Sequence, residues 1–522
     1  MRGRFWVKVA GAAGLVMVAD HLLLGERWGW TLGLFALAWI AVVALASPAV
    51  RRLPVARGGL ALAAGFALVL TDDPSLLTWT LFWGALSVAV LWPIAAIDDA
   101  VTGTVRLLVH GVVGLAQPFR DLARQRRVRA RRGGGGAATV VRLLALPIGG
   151  GLVFAALFAG ANPLIGRTVQ ALDLPDVGTV LVHTGFAALV LMMVWPSLRP
   201  VRVRVGVGIG EDGDPAVRLP VATLVLSLAV FNAVFAVENA LDLAFLWSGA
   251  VLPEGVTLAD YAHRGAYLLI VTALLSGAFV LIALHPSSEA VRDGRVRVLL
   301  TLWLAQNILL VASSMRRLGD YVAAYSLTEL RIGAFVWMAL VVTGLVLIGW
   351  RMLNGRSSRW LVNANVAAAA VALSGAAVVD FGAVAAAWNV NHARDLRALD
   401  LCYLERLGSS ALVPLARLER RVRGEVSRDQ IAALRADAYT EATRGRGDWH
   451  AWTWRDARRA DAVDALLGAT PAKPVRGRRE CGVLIPPDVP VEMPRMVPSV
   501  TPTAPGTAPS PSLAPLTPRV AS

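Results

Sequence analysis

Two acidic residues lie four positions apart in an otherwise apolar stretch, FNAVFAVENALDLAFLW, at residues 231–247. In a helix Glu238 and Asp242 share one face, and Asn239 lies beside them. An ionised acid at mid-membrane costs about 2.5–3.5 kcal/mol, so it normally faces a bundle interior, a partner or water. Three interpretations follow. The acids form a site for a cation, a proton or a polar substrate, or they form a structural pair with arginines of a neighbouring helix. In the third, the helix leaves the membrane early and the acids lie in water.

A second group of polar residues lies in SSMRRLGDYVAAYSLTELRIGAF (residues 313–335), between two long apolar runs. The topology derived below puts this segment outside, where positive charge is normally scarce. Its arginines therefore need acids nearby, either in the same segment or at Glu238 and Asp242 across the bundle. Our main hypothesis is an outer network of arginines and carboxylates; the alternative is a solvated loop whose charges balance. The proposed network consists of Arg316, Arg317, Asp320, Tyr321, Tyr325, Thr328, Glu329 and Arg331.

No other motif carries chemistry. The glycines at 208, 210 and 213 match a dinucleotide-binding pattern by letters, but no βαβ unit surrounds them, so we predict a small cytoplasmic hairpin there. The seven histidines have no metal-ligand spacing, and no CxxC motif exists. We therefore predict no catalytic residue, no metal and no cofactor, which favours a protein that is not an enzyme.

The elements that must position these residues are membrane-spanning helices. The chain has 522 residues, of which 56% are hydrophobic and 17% charged, whereas soluble domains carry roughly 25% charged residues. Its apolar blocks are long enough for helices that cross about 30 Å of hydrocarbon. We predict an all-α polytopic transmembrane helical bundle of about eleven spans. The predicted spans cover residues 5–24, 30–46, 58–70 (short), 76–97, 140–161, 177–195, 219–247, 265–284, 298–313, 333–350 and 361–381.

The basic residues set the predicted orientation. The formal net charge is +15, and arginines cluster between the apolar blocks, where they meet anionic lipid headgroups of the bilayer. No nucleic-acid recognition motif accompanies this charge, so we exclude a nucleic-acid partner. Basic connectors such as residues 48–57 and 199–205 alternate with poorly basic ones such as 71–75. The sequence thus predicts a multi-pass protein of the cell membrane with a cytoplasmic N-terminus and an extracytoplasmic C-terminus.

The chain divides by composition into five predicted parts. These are N-terminal transmembrane helices (1–97), a basic cytoplasmic amphipathic segment with a glycine linker (98–139), a transmembrane core (140–387), a small extramembrane helical domain (388–470) and a Pro/Ser/Thr-rich disordered tail (471–522). Cys402 and Cys481 both fall on the predicted outer side. An oxidising compartment would allow them to pair, which we favour over two unpaired thiols.

Several motifs in order resemble a family of bacterial multi-pass membrane proteins, the domain of unknown function forty-one seventy-three, related to forty-one fifty-three. They are VFNAVFAVENALDLAFLW, LPEGVTLADYAHRGAY and MRRLGDYVAAYSLTELRIGAFVW, followed by WNVNHARD and LDLCYLERLGSSALVPL. The resemblance covers roughly residues 219–460. It implies a shared membrane core with an appended C-terminal helical segment, and no activity. The residues matching the family pattern are Tyr261, Arg264, Gly265, Arg317, Tyr321, Tyr325, Thr328 and Arg331.

Three functions are compatible with these features. The first is a non-enzymatic envelope protein that acts in interaction, sensing or assembly and binds an envelope protein partner through residues 388–469. The second is a secondary transporter that uses the intramembrane carboxylates. The third is a membrane-embedded transferase acting on a lipid-linked donor, with Asp20 or Glu26 as a possible base; it rests on analogy of architecture alone.

Overall fold

The computed structural model describes residues 2–94, 99–131, 176–201, 220–247, 293–468 and 473–485, with single positions between them. This part of the chain is almost wholly helical. Its first nine helices are α1 (Arg2–Leu23), α2 (Thr31–Ala46), α3 (Pro48–Arg52), α4 (Pro54–Asp72), α5 (Leu76–Leu91), α6 (Ala100–Leu115), α7 (Gln117–Arg131), α8 (Val177–Leu198) and α9 (Val221–Asp242). The others are α10 (Gly294–Tyr325), α11 (Glu329–Asn354), α12 (Ser358–Val378), α13 (Phe381–His392), α14 (Leu401–Arg406), α15 (Leu412–Arg421), α16 (Glu425–Ala442) and α17 (Trp454–Leu467).

Seven helices in the described residues are long and apolar enough to cross a membrane, so the chain is a helical membrane protein. They are α1, α4, α8, α9, α10, α11 and α12. Helices α2 and α5, with 16 residues each, are apolar but shorter. The predicted count of about eleven spans is not confirmed, and the predicted spans at 140–161 and 265–284 lie outside the described residues.

The structure sharpens two of the predicted segments. The third span, predicted to be short at 58–70, is the 19-residue helix α4, because Pro54 starts the helix at its first turn. Residues 98–139 were predicted to hold one interfacial helix too interrupted to span. In this segment α6 and α7 meet at a bend of 54°, and by length and hydropathy the pair qualifies as a broken span or a re-entrant loop. The interfacial position stays a prediction. The bend falls where Pro118 removes a backbone donor.

The largest difference concerns residues 313–335. This segment contains little loop: α10 continues for 32 residues to Tyr325, and only residues 326–328 separate it from α11. Ser326 stops α10 by taking a positive φ of 69°, and the Thr328 side chain caps α11 by accepting a hydrogen bond from the Arg331 N–H. At 1.5 Å per residue α10 is about 48 Å long, which exceeds the hydrocarbon thickness. Its charged last turns thus lie on a helix whose faces point in fixed directions.

The membrane helices form two packed groups. In the first, the helices α1, α2, α4, α5 and α8 surround Trp39 and Phe82, which are fully buried, and the Trp39 Nε1–H donates to the Ser197 hydroxyl over 2.7 Å. In the second, α9, α10 and α11 pack around Leu300 and Trp303. Helix α12 connects the groups, since the Asn363 amide oxygen accepts a 2.8 Å hydrogen bond from the first backbone N–H of α6.

A C-terminal domain follows α12 and contains α13 to α17. Its core includes Leu404, Leu412, Leu415 and Ile431, all buried. Helix α13, which contains the predicted boundary at residue 388, packs into this core through Ala386 and Val390. Residues 473–485, predicted to belong to a disordered tail, instead form an antiparallel hairpin, β1 (Arg479–Glu480) and β2 (Val483–Leu484). Residues 486–522 lie outside the described part of the chain.

The helix bundle has two distinct ends. We call one the domain end: residues 24–30, 72–75, 326–328 and 379–380, all of which adjoin the C-terminal domain. We call the other the basic end: residues 48–53, 116–131, 199–201, 293–297 and 354–357. The sequence-derived functional residues of α9 and α10 lie toward the domain end.

Candidate functional site

A line of amide side chains joins α9 to α10. Asn232 donates to the Leu299 carbonyl over 2.9 Å, and Asn239 donates to the Gln306 carbonyl over 3.3 Å. Both pairs are separated by 67 residues, so the two helices run parallel in matching register. Gln306 also donates to the Asn232 amide oxygen over 2.9 Å. The α9–α10 interface is therefore polar along several turns, which is costly in a membrane unless the groups bond to one another.

This line ends in an ion pair between Arg317 of α10 and Asp242 at the end of α9. Arg317 donates to the Asp242 carboxylate, and the Glu238 carboxylate lies 3.7 Å from the same guanidinium nitrogen. The side chains of Arg317 and Asp242 are 9% and 1% exposed, whereas Glu238 is 48% exposed. The structure thus brings Arg317 to Glu238 and Asp242, although 75 residues separate Arg317 from Asp242 in the sequence.

The ion pair adjoins polar atoms that lack a described partner. The amide oxygen of Asn239 is buried and accepts no hydrogen bond from a described residue, and the same holds for the Gln306 amide oxygen. Immediately after Asp242 the backbone changes to a π-helical turn, Leu243–Trp247, of the kind that is frequent at functional sites. Buried acceptors without donors beside acids are the groups that a cation or an ordered water would satisfy.

The other charged residues of the segment point elsewhere. Arg316 pairs along its own helix with Asp320 at 3.6 Å, on the exposed side. Arg331 stacks over the Tyr321 ring at 4.4 Å and donates to the carbonyls of Tyr325 and Ser326. Of the three arginines in the predicted network, only Arg317 contacts the carboxylates of α9.

The turn between α10 and α11 is held by the C-terminal domain. Asn389 of α13 exchanges two hydrogen bonds with Leu327, accepting from its N–H over 2.6 Å and donating to its carbonyl over 2.9 Å. The Tyr403 hydroxyl of α14 accepts from the Glu329 N–H over 3.0 Å. The domain also contacts the helix that carries Arg317, because Ala385 of α13 lies in one buried cluster with Val322 of α10.

A second set of contacts, which we call the arginine clamp, consists of Arg455, Arg458 and Arg459 of α17 with Asp72, Asp73 and Asp380. Arg455 lies 3.0 Å from Asp72 and 2.9 Å from Asp73, and Arg458 lies 2.6 Å from Asp72. Arg459 contacts Asp380 and donates to the Ser409 and Ser410 hydroxyls over 2.7 and 3.0 Å. The clamp fastens the domain to the ends of α4 and α12.

The electrostatic environment differs between two acids of the clamp. Burial raises the pKa of Asp73, and the Arg455 guanidinium only partly opposes this. Burial also acts to raise the pKa of Asp380, but the Ala383 N–H and the Arg459 guanidinium outweigh it and hold that pKa below its usual value. Asp380 is thus the acid that the clamp stabilises in its charged form.

Replacing Arg459 with methionine is expected to loosen the domain. Arg459 is only 13% exposed and bonds to two acids, Asp380 and Asp456, and to two hydroxyls, so its loss costs about 2–3 kcal/mol. Arg458→Met is the matched control: Arg458 is 62% exposed, and its removal costs at most about 1 kcal/mol. The rate of limited proteolysis between α12 and α17 measures the difference.

Asp380→Asn adds a pH test. Because its folded pKa is depressed, Asp380 contributes stability above its ordinary pKa of 3.8, and this contribution is lost as the pH falls through the lower folded value. The difference in stability between the wild type and D380N should therefore be constant above about pH 5 and shrink as the pH falls through 3.8 toward the lower folded pKa. A difference that grows in acid would contradict this role of Asp380.

Two sets of residues singled out in the sequence remain to be placed. Tyr261, Arg264 and Gly265 lie outside the described residues. Cys402 and Cys481 form a disulfide, with Cα atoms 4.5 Å apart, that ties the hairpin to α14.

Sequence reasoning missed two places. Glu26, Asp448 and His450 come together at the domain end. The signal for this group in the sequence is the short spacing between Asp448 and His450. At the basic end, a cavity of about 400 Å³ lies in the elbow between α6 and α7. Its polar lining includes Arg120, Arg124 and Arg199.

Comparisons with known proteins identify the family. No curated protein and no solved structure matches the chain significantly. A family model described as a domain of unknown function, DUF4153, matches residues 58–418. The match begins in α4 and ends in α15, so it includes the α9–α10 ion pair, Asp72 and Asp380, and leaves out α1, α16 and α17. The match starts well before residue 219, where the resemblance seen in the sequence motifs begins, and it ends before residue 460, where that resemblance ends. Since the match covers more than half of its length, the chain belongs to the DUF4153 family of membrane proteins.

Proposed function

We propose that this membrane protein is a non-enzymatic protein of the cell envelope that acts in interaction, sensing or assembly through its outer face and C-terminal domain. One observation carries the proposal, namely how the domain is attached to the membrane helices. The domain holds the α10–α11 turn through Asn389 and Tyr403, and the arginine clamp holds the domain to α4 and α12. A protein partner bound to the domain would therefore act directly on the helix that carries Arg317.

The proposed orientation puts the domain end outside the cell membrane and the N-terminus in the cytoplasm. It is supported by the distribution of arginines, because cytoplasmic segments normally carry the excess of positive charge. Arginines at the basic end or in the helix turns beside it include Arg51, Arg52, Arg120, Arg124, Arg199, Arg295, Arg297, Arg351 and Arg356.

In-cell photo-crosslinking tests the interaction function. Val426, on α16, is 85% exposed and offers a position for a photoreactive amino acid. We expect one discrete crosslinked product from position 426 that weakens in R459M, where the domain is loosened. The matched control is position 353 at the basic end, which is also exposed and should give no such product.

A secondary transporter is the second candidate, favoured by the Asp242–Arg317 pair beside the buried Asn239 oxygen. Purified protein in proteoliposomes distinguishes the two functions. Proton or cation flux that Glu238→Gln abolishes, with no crosslinked product at 426, would establish the transporter and overturn the interaction function.

We also propose that the cavity at the basic end binds the headgroup of an anionic phospholipid. Arg199 is already paired with Asp121 at 3.0 Å, and Trp195 donates to the same carboxylate over 3.0 Å. Arg120 and Arg124 are the exposed arginines of the lining, and Val109 and Val113 provide an apolar wall for acyl chains. Indole and arginine side chains together are typical of the membrane interface.

Arg120→Gln combined with Arg124→Gln is expected to weaken binding of anionic lipid. At about 1 kcal/mol per arginine near a charged surface, the affinity for phosphatidylglycerol should fall about 30-fold. Lipid-dependent thermal stabilisation in detergent measures this, with phosphatidylcholine as the neutral lipid. The control R51Q/R52Q removes two arginines of the same end outside the cavity, and an equal loss there would show general surface attraction instead.

A further inference from the structure

Three side chains from distant parts of the sequence meet where the membrane helices join the C-terminal domain. Glu26 lies in the turn between α1 and α2. His450 lies in the 3-10 turn Trp449–Ala451, and Asp448 is the residue just before that turn. The ligand atoms of the three side chains all lie within 4.8 Å of one another. Among the described residues this is the group whose side chains could together hold a metal ion.

The backbone around this group is held firmly in place. The Trp30 N–H donates to the Trp452 carbonyl over 2.7 Å, and the Trp30 indole donates to the Trp449 carbonyl over 2.8 Å. Gly29 makes this approach possible, because a Cβ there would collide with the carbonyl oxygens of His450 and Trp452. The α1–α2 turn and the 3-10 turn are therefore in direct contact before any ligand binds.

The distances between the three side chains fit a metal better than hydrogen bonds. His450 Nδ1 lies 3.4 Å from Asp448 Oδ1 and 3.6 Å from Glu26 Oε2. Hydrogen bonds between nitrogen and oxygen are about 2.7–3.2 Å long. Ligands at 2.0–2.1 Å from a tetrahedral zinc ion are separated by about 3.3–3.4 Å. The imidazole nitrogen thus faces two carboxylate oxygens at nearly the spacing of a zinc coordination shell.

The charges point to the same class of ligand. Two carboxylates face a ring nitrogen that can act as a ligand in its neutral form, and a dication would balance their charge. His450 is also mostly buried, with its side chain 13% exposed, so the group is partly shielded from water. One nitrogen and two oxygen ligands leave a tetrahedral position for water or for a further donor. The neighbouring donor is His21, whose ring centre lies 6.5 Å from that of His450.

We propose that Glu26, Asp448 and His450 bind a divalent transition-metal ion, with the ligand set best suited to Zn²⁺. The ion would fasten the first two membrane helices to the C-terminal domain. All three residues lie outside the segment 58–418 that matches the family model, so the site is a property of the flanking segments of this chain. The inference does not depend on the function proposed above.

Zinc titration of the full chain in detergent, stripped with a chelator, tests the site. We expect one zinc ion per chain by mass spectrometry of the metal content, and a higher unfolding temperature with zinc. E26Q, D448N and H450Q should each lower the zinc affinity by at least about 100-fold. Co²⁺ in place of zinc should give the visible absorption of a tetrahedral site in the wild type only.

The matched control is H392Q, which removes another histidine of the C-terminal domain, one that stacks on Trp388 outside the site. H392Q should bind zinc like the wild type. Glu26 lies in an exposed turn, so E26Q keeps the test valid if the histidine variant misfolds. Substoichiometric zinc, or equal zinc binding in E26Q and the wild type, would overturn the proposal.

Discussion

Replacing Arg317 with methionine is expected to destabilise the protein by about 3–5 kcal/mol, the largest effect of any single substitution considered for this chain. The substitution leaves Asp242 charged and 1% exposed, without the guanidinium that now neutralises it. Asp242→Asn removes the buried carboxylate from Arg317 but keeps Glu238 at 3.7 Å, so it should cost somewhat less. The unfolding free energy in detergent micelles, titrated with a denaturing surfactant, measures both.

The double variant R317M/D242L should be more stable than either single variant, because it removes both charges from the interface at once. Arg316→Gln is the matched control and should change the stability by less than about 1 kcal/mol, since Arg316 pairs only on the exposed side of α10. Glu238→Gln should also have a smaller effect, given its 48% exposure. Equal losses in R316Q and R317M would contradict the assignment of Arg317 as the inward-facing arginine.

Removing the disulfide by Cys402→Ser and Cys481→Ser together is expected to destabilise the C-terminal domain by about 4 kcal/mol. The two cysteines are separated by 79 residues, and closing a loop of that length restricts the unfolded chain strongly. The hairpin should then separate from α14, although Arg479 would still contact Asp429 of α16. Thermal unfolding and protease sensitivity of the domain measure the change.

Reductant provides the control for the disulfide. It should destabilise the wild type to the level of the double variant and leave the double variant unchanged. Labelling intact cells with a membrane-impermeant thiol reagent tests on which side of the membrane the domain lies. Labelling of the wild type only after reduction agrees with a domain outside the cell membrane. Labelling without reductant, and only in permeabilised cells, would contradict both the bridge and the proposed orientation.

The membrane-protein class could be predicted from the sequence because it depends on local properties. Apolar runs of sufficient length form helices in lipid whatever their neighbours, since each backbone polar group must be satisfied within its own segment. The helix ends were harder to predict. The sequence predicts that the span ends at residue 313, where charged residues begin, yet residues 313–325 continue α10, because helical propensity and the absence of proline outweigh their polarity.

The partners of the charged residues could not be predicted in the same way. The sequence contains Arg316 and Arg317 side by side, and both were candidates for pairing with Glu238 or Asp242. Adjacent residues on a helix differ by about 100° in direction, so the rotation of α10 against α9 determines which one faces inward. That rotation is set by packing around Trp303 and by the amide line from Asn232 to Gln306.

By itself, then, the sequence determined that this chain is a helical membrane protein, where its basic residues concentrate, and which acids lie on one face of α9, because these depend on composition and on spacing within a few helical turns. Only the tertiary structure decided that Arg317 rather than Arg316 meets Asp242, that α17 holds Asp72 and Asp380, and that Glu26 meets His450 across more than four hundred residues. The physical reason is that such contacts depend on how helices rotate and dock against one another, and the energy of that docking is spread over many side chains far apart in the chain.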